Sequence, residues 1–170
     1  MLWRREQGWT YELHPLDKEP EVHENFSSLH SLWESKRIDG KLPKWSDFEM
    51  KDFKDWWGWL IVYDFEDDDW ESVRVRLWGS HIAEYMGYDA SGKLLEVTDD
   101  SGIIDAQHIT LTDMEFHRVA AETRKIAYSH GPVQIELSDW QHLYDLGLPL
   151  ANDGERIDKL LYGTYVEHKV

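Results

Sequence analysis

Residues 57–63, Trp-Gly-Trp-Leu-Ile-Val-Tyr, are apolar at odd and even positions alike, with a single glycine among them. A strand sends successive side chains to opposite faces, so a run of this kind has to be covered on both sides. The next run, Ser72 to Trp78, alternates instead: Val73, Val75 and Leu77 fall on one face and Arg74, Arg76 and Trp78 on the other. The acidic stretch Asp64 to Asp69 reads as the turn joining them. The pattern predicts an antiparallel hairpin whose first strand is central in a sheet.

The flanking segments supply helices and more strands. Residues 1–20 form an N-terminal extension carrying Trp3, Trp9 and Tyr11, expected to dock on the domain or on a second copy of it. Val22, Phe26, Leu29 and Trp33 then recur on one helical stripe, predicting a helix over 21–39 that Gly40 stops. Ser46-Asp47-Phe48-Glu49 matches a capping box and suggests a short helix over 46–54. After the hairpin, Gly79-Ser80 opens a helix through Met86, ended by Gly87. A turn-rich stretch over 88–109 includes Asp99-Asp100-Ser101-Gly102. A second capping box at Thr112 starts a helix read to Tyr128, with Val119, Ala120 and Ala127 inward and Phe116 beside them. Three closing strands are read at Val133–Leu137, Gln141–Leu150 and Ile157–Glu167, the last two joined through Asn152-Asp153-Gly154. The fold expected is α+β: a five-stranded antiparallel sheet with helices between strands two and three, plus an N-terminal helix, in one domain over 21–170.

Bulk properties narrow the class. The 170 residues suit one domain. There is no cysteine, which removes disulfides, thiolate metal sites and cysteine nucleophiles and suits a cytoplasmic address. A net charge of −16 repels phosphate backbones, so nucleic acid is not an expected partner. No apolar run reaches the ~20 residues of a spanning helix, and none is expected to meet a membrane. Ten tryptophans are the more informative excess, because large rings line pockets as well as cores.

The order of elements, and three blocks of residues, resemble a PAS-like family of short bacterial proteins. The blocks are Leu29…Trp33…Arg37…Gly40…Leu42-Pro43; Arg74-Val75-Arg76-Leu77-Trp78-Gly79-Ser80 running on through Ile82, Met86-Gly87 and Gly92-Lys93; and Leu148 to Asp158 ending in Leu160-Leu161-Tyr162-Gly163. They span about residues 29–166. Family members often carry a basic residue soon after the Leu-Pro pair and then Asp-Pro, where this chain has Trp45 and Glu49-Met50. The resemblance implies a sensory or signalling fold and brings no catalytic residue with it.

Site chemistry follows from residue types. Among nine histidines, the close pairs His23/His30 and His108/His117 lack metal-ligand spacing, and no metal is expected. Haem through His81 or His117 rests on a lone histidine, and the sequence requires no cofactor. The acidic run from Asp64 has Asp69 where an EF-hand loop needs glycine and Val75 where it needs glutamate. Asp139 and His142 have opposite strand parity, which argues against a dyad. What remains is an apolar cavity between sheet and helices, with Trp78, His81, Tyr85, Phe116, His142 and Tyr144 as candidate lining. The expected role is a non-enzymatic sensor that binds a small apolar or aromatic molecule, or a signalling protein partner, and acts in trans as a homodimer through its N-terminal region. The rival is a small cavity isomerase or hydratase using histidine and aspartate as acid and base, for which His81 and His142 show no evident carboxylate partner.

Overall fold

A computed structural model describes residues 1–95, 111–133 and 140–168. In chain order the elements are β1 (Leu2–Glu6), β2 (Trp9–His14), α1 (Ser27–Ser35), β3 (Leu60–Phe65), β4 (Val73–Trp78), α2 (Ser80–Met86), β5 (Leu94–Leu95), α3 (Leu111–Glu122), β6 (Ile126–Pro132), β7 (Trp140–Leu150) and β8 (Lys159–His168). All eight strands join one sheet in the order β1-β2-β6-β7-β8-β3-β4-β5, and every pairing is antiparallel. The class is therefore α+β with three helices among the described residues, but the sheet has eight strands where the sequence predicts five.

The N-terminus accounts for two of the extra strands. The chain opens on a hairpin and not on a helix: Gln7 and Gly8 both take positive φ, turning β1 back onto β2. Tyr11 and Leu13 bury their side chains, and β2 zips onto β6 from Thr10↔His130 to His14↔Ile126. Residues 2–14 are thus hydrogen-bonded into the sheet itself. The helix expected over 21–39 is α1, nine residues preceded by a single 3-10 turn at Glu24–Phe26, and it buries Phe26, Leu29 and Trp33 as its stripe requires. The segment read as a helix over 46–54 is two 3-10 turns, Trp45–Asp47 and Met50–Phe53.

The helix read to Tyr128 stops at Glu122. Arg124 adopts a left-handed φ of 52°, while its amide and that of Lys125 close on the Ala121 and Ala120 carbonyls. The chain then leaves as β6, so Ala127 and Tyr128 are strand residues. Of the strand read at Val133–Leu137, residues 134–137 lie outside the described residues, as does the turn at 99–102. The β3–β4 hairpin forms as expected, with one correction. A bulge at Arg76 places Val62 opposite Leu77 but Tyr63 opposite Val75, so Trp78 turns to the side of Val73 and Val75. The acidic turn is spent on local cations: Asp64 pairs with Arg76, Glu66 with Arg74 and Asp68 with Arg156.

Pairing fixes which residues share a face. Tyr63, Val75, Ser129, Asp145, Gly147, Tyr162 and Thr164 fall on one side, and Val62, Tyr144, Leu148, Leu161, Gly163 and Tyr165 on the other. The first side carries α3, anchored by Phe116 against Trp3 and Tyr11. The second carries α1, whose Trp33 indole donates to the Pro149 carbonyl at 2.9 Å. Both faces of β3, β7 and β8 are therefore roofed, and the central strand is apolar on both parities for this reason.

Gly163 sets the closeness of α1. A Cβ there would stand 2.4 Å from Leu29 Cδ2 and 3.0 Å from the Trp56 ring. Gly163→Ala is expected to cost about 1–3 kcal/mol by overpacking, read as a lower urea midpoint at unchanged slope. An unchanged midpoint would show that the Leu29–Trp56 layer gives way freely.

Candidate functional site

The seam between α3 and the sheet holds an unusual density of polar groups for a buried layer. On β7, Asp145 faces α3 because it is in register with Ser129 on one side and Thr164 on the other. Thr164 donates its hydroxyl to Asp145 Oδ1 at 2.6 Å. Two positions along, Gly147 leaves room for the Tyr162 ring, which a Cβ there would meet at 2.4 Å. Laid across β7, that ring brings its hydroxyl 3.0 Å from Nδ1 of His117 on α3. Tyr63 completes the group, 4.9 Å from the His117 ring and 5.7 Å from Tyr162. Further along α3, Asp113 accepts from the Tyr11 hydroxyl at 2.9 Å.

Burial decides the charge states. Desolvation lowers His117 to about 3, so its imidazole is neutral. Asp145 is pushed up to about 7, chiefly by desolvation and further by Asp113, against the opposing pull of Thr164. Tyr63 and Tyr162 are both raised well above 10 by burial and stay protonated. His117, Tyr63 and Tyr162 are thus uncharged at neutral pH, and the Asp145 carboxyl is poised to ionise near neutrality.

The end of the seam under α2 carries the more telling feature. Trp78, turned inward by the Arg76 bulge, stacks on Tyr88 at 5.9 Å. The Trp78 indole N–H and the Tyr88 hydroxyl are both buried and find no hydrogen-bond partner among the described residues. Trp78 is only 6% exposed, and the Tyr88 hydroxyl lies near enough to Tyr63 to help raise it. A buried donor without an acceptor costs about 1–3 kcal/mol, and two side by side mark a place where an acceptor belongs. Sequence reasoning found Trp78 and missed Tyr88, His117, Asp145 and Tyr162 as a group. Asp145 was legible in principle, as the one acidic residue inside an otherwise apolar strand run from Leu143 to Leu150.

No protein-family model, curated protein or solved structure matches this chain. Its function has to be argued from the geometry alone.

The other predicted residues scatter. Phe116 is in the seam but spent on Trp3 and Tyr11. Tyr85 is half-buried on α2. His81 stands exposed on α2 with its ring 4.9 Å from Trp59. His142 and Tyr144 lie on the opposite face of the sheet, in register with Glu167 and Tyr165. Asp139 lies outside the described residues. A separate open cleft of about 430 Å³ lies on that opposite face, bordered by Ser28, Asp55, Trp56, Trp59 and Tyr165. There the Trp56 indole already donates to Ser28 at 3.1 Å.

The Asp145 carboxyl binds its proton more tightly folded than unfolded, 3.8 rising to about 7. Its contribution is therefore fully present below pH ~4 and is lost as pH rises through ~7. Asp145→Asn is expected to raise the melting temperature by several degrees at pH 8 and hardly at all at pH 4. The gain should grow between those limits and level off above 7. A pH-independent difference in parallel thermal scans would place Asp145 in a solvated environment instead.

Proposed function

We propose that this protein is a PAS-like sensory module that takes a small molecule into the seam under α2 and α3 and passes the change to a second copy or a signalling protein. The observation that carries the reading is the pair of unpartnered buried donors, Trp78 Nε1 and Tyr88 OH, on two stacked rings of an aromatic-walled layer. Small-molecule sites combine apolar walls with a few convergent polar groups, and this layer has that character. The topology supports it. Strands β6, β7, β8, β3 and β4 are consecutive neighbours in the sheet, with α2, β5 and α3 inserted in the chain between β4 and β6. That is the two-strand, helices, three-strand order of the resemblance, extended here by β1 and β2 at one edge and β5 at the other.

Ring contacts support one route of transmission. A ligand that repositions α3 moves Phe116, and Phe116 packs on Trp3 and Tyr11 of the N-terminal hairpin. The outer strand of that hairpin, β1, is the edge of the sheet, with Met1 and Leu2 exposed. A population shift in α3 would reach a dimer or partner surface there. Because Trp3 and Tyr11 are committed inside the chain, removing residues 1–20 would unroof α3 and test nothing about dimerisation. The hydratase or isomerase alternative needs a carboxylate on a buried histidine. His117 is bonded instead to Tyr162, and Asp145 to Thr164, which favours the binding reading.

Protein purified from its own host is expected to carry a retained small mass in native mass spectrometry. The double variant Trp78→Phe, Tyr88→Phe should lose that mass while folding normally, because each change removes a donor and keeps the ring. Failure of the wild-type chain to retain a molecule, together with no melting shift across a library of small carbonyl compounds, would overturn the proposal.

A further inference from the structure

The face of the sheet turned away from α3 gathers three histidines that sequence spacing does not pair. His130 on β6 and His142 on β7 sit diagonally across the ladder, His130 opposite Tyr144 and His142 opposite Pro132. Nδ1 of His130 and Nε2 of His142 face each other at 3.1 Å. Both rings are half-buried and braced by Tyr144, whose ring centroid lies 5.6 Å from His130 and 4.6 Å from His142. His23 covers the far side of Tyr144 at 4.7 Å. Directly across the β7–β8 ladder from His142 stands Glu167, which also lies 3.7 Å from His23 Nε2.

We infer that His130 and His142 form a two-imidazole site for one divalent transition-metal ion of the imidazole-preferring class, Cu²⁺, Ni²⁺ or Zn²⁺. With metal–nitrogen bonds of about 2.0–2.1 Å, the observed nitrogen separation subtends roughly 98° at the ion, between square and tetrahedral geometry. The two facing nitrogens now share one hydrogen. On binding, that hydrogen transfers to the distal nitrogen of its own ring, so both lone pairs point at the ion and the step releases no proton. Two adjacent strands hold the rings, and Tyr144 limits their rotation, so little ordering remains to be done on binding. Among the described residues no third histidine or carboxylate converges on the pair. Water therefore completes the shell, with Glu167 in register with His142 on the same face, and the chain's net charge of −16 favours cation uptake.

Titration of the full chain with CuCl₂, followed by calorimetry and electron paramagnetic resonance, tests the site. Wild-type protein should take up one ion with two equatorial nitrogens in the hyperfine pattern. His130→Ala and His142→Ala should each weaken binding at least tenfold and leave one nitrogen, and the polar variant His142→Gln should do the same while preserving ring-face packing volume. His81→Ala, at an exposed position on α2, should leave uptake unchanged. Equal uptake by wild type and all three site variants, or no uptake at micromolar ion, would overturn the inference and reduce the contact to a hydrogen bond between neutral rings.

Discussion

A sheet roofed on both faces has to find side-chain volume twice along the same strands, and β7 and β8 resolve this with one glycine on each face. Gly147, on the α3 side, vacates the space across which Tyr162 lies. Gly163, the next residue after Tyr162, vacates the space that Leu29 and Trp56 fill from the α1 side. The two absences are in neighbouring positions on the β7–β8 ladder, so the aromatic layers interlock across the thinnest part of the sheet. The Tyr162–His117 contact of the seam depends on the first of them. Without the ring laid over Gly147, the Tyr162 hydroxyl would not reach His117, and α3 would lose its polar tie to the centre of the sheet.

How much of this was legible depends on whether local pattern or distant pairing decided the element. The β3–β4 hairpin, α2 with its Gly87 stop at φ 78° and the β7–β8 hairpin were all readable, because each is fixed by periodicity and turn chemistry within a few residues. The β1–β2 hairpin was not. Its strands are short, and their partner β6 is more than a hundred residues away, so three aromatics looked like a lead-in. β6 itself was absorbed into the tail of a helix, since Val119, Ala120 and Ala127 satisfy a helical stripe equally well and nothing in the sequence announces the left-handed Arg124. The bulge at Arg76 is the subtlest case. One extra residue reversed the parity of Trp78, and strict alternation assigned it to the wrong face. His142 and Tyr144 fall on the other face from Trp78 for a different reason. Their parity relative to Asp145 was available, but without knowing which face of β7 carried the inserted helices, it could not be used.

The electrostatics of the seam are balanced in a way that no single residue reveals. His117 resists protonation down to about pH 3, so acidification from its ordinary 6.5 penalises the folded state. Asp145 resists deprotonation up to about 7, so alkalinisation from its ordinary 3.8 does the same. Over the shared interval the two slopes oppose each other, and the layer tolerates acid without a net drive from either group. Above neutrality only the Asp145 penalty remains. A ligand bearing a cationic or donor group toward Asp145 would relieve that penalty, so conditions above neutrality are where binding has the most stability to recover.

The same reasoning explains why the two idle donors weigh more than the aromatic count. Ten tryptophans would fill a solid core as readily as line a pocket, and several here do only that: Trp33 donates to Pro149, Trp56 to Ser28 and Trp70 to Ile157. Three buried or partly buried indoles with assigned acceptors show that this fold satisfies its tryptophans when packing alone is the purpose. Against that background, the Trp78 indole, buried and stacked on a tyrosine whose own hydroxyl is equally unspent, is an exception to the rule the chain sets for itself. Hydrophobic substitution at either position would have removed the cost of an unmet hydrogen bond with no loss of volume. Two unspent, buried donors on stacked rings are what a binding role for the seam calls for.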